Sequence, residues 1–184
     1  MLAVPAPELL PIADARLGVL TAWDTLFRRY QLPIFTYVHE LVRDEQASFD
    51  LVQETFISAV RHIDGLREDE KFPSWLFGIA HQKCIQRWRR DRRSESIVEE
   101  LSNAPAEWAE SPDELMIKNE DASHFMAQLN QLPLAQRSAL LLHFVEDFSL
   151  EEIVEITGAQ IGTVKSRIHY GKRALKKLME ETKK

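Results

Sequence analysis

Residues 161–178 read IGTVKSRIHYGKRALKKL, a stretch with six cations and no acid. The cations are Lys165, Arg167, Lys172, Arg173, Lys176 and Lys177. Lysine and arginine bind phosphates and guanine edges, and a serine such as Ser166 donates to either. Gly162 and Thr163 fall in the first helical turn, where unpaired backbone N–H groups favour a phosphate. A second basic cluster, HQKCIQRWRRDRR, spans residues 81–93 and sets Trp88 among Arg87, Arg89 and Arg90. Such a patch suits contact with phosphates, because local charge matters more than net charge at physiological salt. The six histidines are scattered. His81 and Cys84 share a helix face, but two ligands do not make a metal site. With no nucleophile motif and no glycine-rich phosphate loop, no catalytic residue, metal or cofactor is expected.

The charge is unevenly spread over a chain of net charge -6. Residues 1–80 hold 12 acids and 7 bases, and residues 81–93 hold 1 acid and 6 bases. Residues 94–160 then carry 14 acids and 2 bases, and residues 161–184 carry 2 acids and 8 bases. Two basic patches are thus separated by a strongly acidic middle. The single cysteine excludes a disulfide framework and fits a reducing cytoplasm. The opening MLAVPAPELLPIADA lacks a basic n-region, and prolines interrupt its apolar part, so it does not read as a signal peptide. No apolar run approaches the ~18 residues of a membrane span. The expected location is cytoplasmic.

Periodicity predicts an all-α fold of two small helical domains joined by an acidic linker. Residues 1–20 read as a flexible or loosely packed leader, and 21–93 as the first domain. Within it, Trp23, Leu26, Phe27 and Tyr30 recur at helical spacing, and Pro33 either kinks that helix or starts another. Phe49, Val52, Phe56, Ile57, Val60 and Ile63 form an apolar stripe on the next helix. A charged loop, DGLREDEKFPS, leads to a long helix with a basic end. Residues 94–112, rich in Ser, Pro and acids, read as the linker, and 113–184 as the second domain.

That domain ends in a helix-turn-helix. Ser149 and Glu152 have the spacing of a capping box, and Gly158 suits a left-handed helix end. Ile161, Val164, Ile168 and Leu175 share one face of the second helix. Lys165, Ser166, Arg167, His169, Tyr170 and Arg173 are expected on the opposite side. In this motif the second helix enters the major groove.

The stretch SLEEIVEITGAQIGTVKSRIHYGKRAL resembles the fourth-region helix-turn-helix of bacterial RNA polymerase sigma factors, most closely the extracytoplasmic-function type. GTVKSR is its most specific part. FDLVQETFISAV and FPSWLFGIAHQKCIQRWRRDRR resemble the second region of the same family. The resemblance implies a transcription initiation factor whose partners are core RNA polymerase, promoter DNA and, in many members, an anti-sigma factor. It implies that Asp50, Gln53, Glu54 and Phe56 dock on the polymerase. Arg67, Lys71, Phe72, Gln82, Lys83, Gln86, Arg87, Trp88 and Arg90 would handle the -10 element. Thr163, Lys165, Ser166, Arg167, His169, Tyr170 and Arg173 would handle the -35 element. Where the family usually has a further arginine, this chain has Tyr170. Where it commonly has an acid before the polymerase-binding Asp, this chain has Ser48 and Phe49, and a phosphate on Ser48 would restore the charge. A second reading, a helix-turn-helix regulator that is not a sigma subunit, leaves residues 75–93 without a role.

Overall fold

The computed structural model describes residues 10–92 and 122–181. All regular structure among them is helical, with no strand. The predicted linker, residues 94–112, lies outside the described residues.

The first half begins with α1 (Ile12–Arg16), α2 (Leu20–Val42) and α3 (Glu45–His62). Part of the expected loose leader is core: Ile12 and Ala15 are buried, and the Trp23 indole N–H donates to Ala15 O at 3.0 Å. The cause is the three-residue spacing, which puts both side chains on the inner face of one turn. Pro33 neither breaks α2 nor starts a new helix. The helix stops at Arg43, which adopts φ 60° and donates its N–H to His39 O at 2.8 Å. Asp44 then caps α3, its side chain accepting from Ala47 N–H at 2.8 Å. Edge-to-face contact of Phe27 and Phe56, 4.8 Å between centroids, joins α2 to α3. The charged loop contains short 3-10 turns at Ile63–Gly65 and Asp69–Lys71, and α4 (Phe72–Arg92) follows.

The second half holds α5 (Ala122–Leu129), α6 (Leu134–Leu140), α7 (Leu150–Thr157) and α8 (Ile161–Glu181). α6 continues as a π-helical turn at Leu141–Val145. The capping box on α7 is present in both directions. Ser149 N–H donates to Glu152 Oε2 at 2.8 Å, and Glu152 N–H to Ser149 Oγ at 3.2 Å. Gly158 ends α7 at φ 67°, the left-handed conformation its lack of Cβ permits. On α8, Val164, Ile168 and Leu175 are buried as expected, but Ile161 is 42% exposed at the open first turn. Gly171 lets α8 lie directly on α6. A Cβ there would meet Leu140 Cδ1 at 2.9 Å and Cγ at 3.1 Å.

The halves are in contact. α4 lies along α7, with Gly78 against the backbone of Ile156, and Phe77 meets Phe148 edge-on at 5.0 Å. The buried Arg137 of α6 donates to Asn130 O at 3.1 Å and across the join to Leu41 O at 3.4 Å. Burial lowers the Arg137 pKa to about 10.

Because Leu140 is itself fully enclosed, Gly171→Val should overpack the α6–α8 contact and cost about 1–3 kcal/mol. A melting temperature equal to wild type would show that the contact is slack.

Candidate nucleic-acid interface

Helix α4 divides its surface between three neighbours. Leu76, Phe77, Ala80 and Cys84 are buried. Lys83 turns toward α3 and pairs with Glu54 at 3.3 Å, while Arg87 reaches Asp44 at 3.9 Å and Asp91 at 3.4 Å. A third side carries Trp75, Ile79 and Gln82, which line a cleft of about 470 Å³ together with Arg67 and Lys71 of the loop. Gln86 and Arg90 are exposed on the following turns of α4. Arg67, Lys71 and Gln82 are thus brought together, whereas Lys83 and Arg87 point elsewhere.

Phe72 is a correction to the expected site. It is fully buried, 5.5 Å from the Tyr30 ring, because it starts α4 on the core side. Trp75 is half-buried against Phe72 at 5.9 Å, in both core and cleft. Trp88 is half-buried. The cleft has one contributor that sequence reasoning missed. Glu155 of α7 enters it and accepts a hydrogen bond from Lys71 Nζ at 2.8 Å. That bond and its charge, aided by Glu68, hold the Lys71 pKa above the ordinary value.

On α3, Asp50, Gln53 and Glu54 are exposed as expected. Phe56 is not; it is 7% exposed and packs on Phe27. The predicted stripe was too wide for one core. Phe49, Ile57 and Val60 face outward, each about half exposed (47%, 50% and 51%), beside those polar residues. Ser48 is fully buried and donates to Asp44 O at 2.6 Å, so a kinase cannot reach its hydroxyl in this fold.

On α8, Tyr170 and Arg173 are exposed, and Thr163, Lys165 and His169 are partly exposed. The rings of His169 and Tyr170 meet edge-on at 5.3 Å. Ser166 departs from its expected outward position: it is 7% exposed and donates to Thr163 O at 3.0 Å. At 3.6 residues per turn it stands about 200° round α8 from both Val164 and Ile168, so it is buried on the side away from their shared face. Arg167 is half-buried toward α4, and desolvation lowers its pKa. There it faces His81, which is buried with Nδ1 2.8 Å from the Tyr37 hydroxyl. Burial first, and the Arg167 charge second, pull the His81 pKa down to about 4. Burial lifts Cys84 to about 12 and Glu146 to about 7. No group of three or more His, Cys, Asp or Glu side chains among the described residues is placed to hold a metal. No described helix is long and apolar enough to cross a membrane.

An all-α protein with two basic helices, one in a helix-turn-helix, suits contact with nucleic acid. Comparison with known proteins agrees with this. The Sigma-70 region 2 family matches residues 26–94, and the Sigma-70, region 4 family matches residues 124–178. The RNA polymerase sigma-H factor of Pseudomonas aeruginosa is 32% identical over 171 residues, 89% of each chain. The ECF RNA polymerase sigma factor SigW of Bacillus subtilis is 26% identical, covering 92% of this chain and 95% of that one. The fold is like that of the sigma factor RpoE solved with the anti-sigma factor NepR from Bartonella quintana. Its TM-score is 0.66 at 24% identity, over 85% of this chain and 96% of that one. The chain belongs to the sigma-70 family, in its extracytoplasmic-function group, and directs RNA polymerase to specific promoters.

His81 gives a pH test of the join between halves. Its folded pKa lies below the ordinary 6.5, so the unfolded chain binds its proton first as the pH falls. The stability that neutral His81 permits is complete above pH 6.5 and lost on descent through about pH 4. Glu146 works in the opposite sense, losing stability as the pH rises from about 4.5 through about 7. Between these limits the two oppose each other. His81→Leu should therefore gain on wild type as the pH falls, by an amount on the order of 3 kcal/mol at most. Parallel melting-temperature profiles of the two proteins from pH 7 to pH 4.5 would contradict this assignment.

Proposed function

We propose that α8 reads the -35 duplex through Lys165, Arg167, His169, Tyr170 and Arg173, with Thr163 near the backbone. The cleft between α4 and its preceding loop receives melted -10 DNA through Arg67, Lys71 and Gln82, with Gln86, Trp88 and Arg90 following the strand. Lys83 and Arg87 support this surface through their ion pairs with α3 and the turn before it. Core polymerase docks on α3 at Asp50, Gln53 and Glu54. The exposed Phe49, Ile57 and Val60 beside them supply the apolar area a stable contact needs. Catalysis belongs to the polymerase, so no residue here is given a catalytic role. The place of action is the cytoplasm. An anti-sigma factor is a reasonable further partner, as in the solved RpoE–NepR complex.

The observation that carries this reading is the pairing of a helix-turn-helix with a second basic helix beside a cleft. Promoter-specific run-off transcription with core polymerase tests it, because a repressor would not confer initiation. Lys165→Ala should reduce transcription from promoters that depend on the -35 element, by about tenfold. Polymerase affinity should stay unchanged. An equal fall in that affinity would misplace the reading face.

The described arrangement is closed. Lys71 is held by Glu155, and Arg167 is half-buried against the first half. Promoter binding therefore requires the halves to part. Glu155→Gln should raise the free protein's affinity for single-stranded -10 DNA by about two- to fivefold, the worth of one partly exposed ion pair. Unchanged affinity in a binding titration would mean that Lys71 takes no part.

A further inference from the structure

We propose that Arg16, which lies outside both matched regions, is a positioning residue for reading the -10 element, a role that rests on the cleft being the -10 site. It fixes the loop that presents Arg67 and Lys71. One guanidinium nitrogen, Nη2, donates to Leu66 O at 2.8 Å and pairs with Asp69 Oδ1 at 2.7 Å. Those partners bracket Arg67 and Glu68 on either side.

The loop needs such a tie. Leu66 and Glu68 have extended backbone between two 3-10 turns, with ψ 114° and 120°. Extended residues without a neighbouring strand leave carbonyls to be satisfied from elsewhere. Leu66 is 6% exposed, and Arg16 supplies the donor for its carbonyl.

The anchor is independently held. Arg16 ends α1, which is secured by buried Ile12 and Ala15 and by the Trp23 hydrogen bond to Ala15 O. Arg16 itself does not line the cleft. Its influence passes through the loop, and the sequence separation of 50 residues hides it from any local pattern. A lysine keeps the charge and has donors on one nitrogen for both partners, but lacks the planar guanidinium that fixes their directions.

The test uses full-length protein in holoenzyme with core RNA polymerase. Two promoter libraries, one randomised in the -10 segment and one in the -35 segment, are transcribed and the products sequenced. Arg16→Ala should flatten base preference in the -10 segment by about tenfold, the scale of a lost charge-assisted hydrogen bond. The -35 profile and polymerase affinity should stay at wild-type values. Arg16→Lys should restore part of the -10 preference, and Asp69→Asn should lose part of it. Melting temperatures are measured alongside. An unchanged -10 profile overturns the proposal. So does an equal loss in both profiles that follows the melting temperature, since the segment would then only stabilise the fold. Lys71→Ala separates the two levels. If it flattens the -10 profile and Arg16→Ala does not, the role of Arg16 fails alone; if it changes nothing, the cleft is not the -10 site.

Discussion

Helix α4 has one circumference and three obligations. At 3.6 residues per turn its sides are soon exhausted. One side must close the first core through Leu76, Ala80 and Cys84. A second is tied to α3 by the Lys83–Glu54 pair. What remains is shared between the cleft and the contact with α7. If the cleft is the -10 site proposed above, the same residues cannot face DNA and α7 together, and the closed and reading forms exclude one another. Buried polar residues also sit at the join. His81 and Tyr37 satisfy each other there, and Arg137 spends a donor on Leu41 O.

Local features were the most legible in the sequence. The capping box at Ser149 and Glu152 and the left-handed end at Gly158 depend on residues within a turn of each other. The helices at 45–62 and 150–157 follow from the same short-range rules. Burial was harder to read. An apolar stripe shows that residues leave water, but not whether their own core or another protein receives them. Phe56 went to the core, while Phe49, Ile57 and Val60 stayed outside. Phe72 and Ser166 departed for a related reason: residue type suggested a contact with DNA, and burial of both positions decided otherwise. The Arg16–Leu66 and Lys71–Glu155 contacts span 50 and 84 residues, and no local period encodes them.

The uneven charge also takes on a spatial meaning. α7 is the acidic member of the helix-turn-helix, with Glu151, Glu152 and Glu155. Glu152 is committed to capping its own helix, whereas Glu155 reaches the loop of the other half. A carboxylate beside Lys71 stands where a phosphate oxygen would be a chemical equivalent.

The Lys71–Glu155 pair has a consequence for how binding depends on salt. Side chains that are 45% and 48% exposed are open to screening, so added electrolyte loosens the closed form as well as the contact with DNA. In the -10 contact proposed above, Lys71 leaves Glu155 for a phosphate, and one ion pair replaces another. The counterion freed from the nucleic acid is offset in part by cation uptake at the vacated carboxylate. The slope of log affinity against log salt for the free chain will therefore understate the number of phosphates it touches.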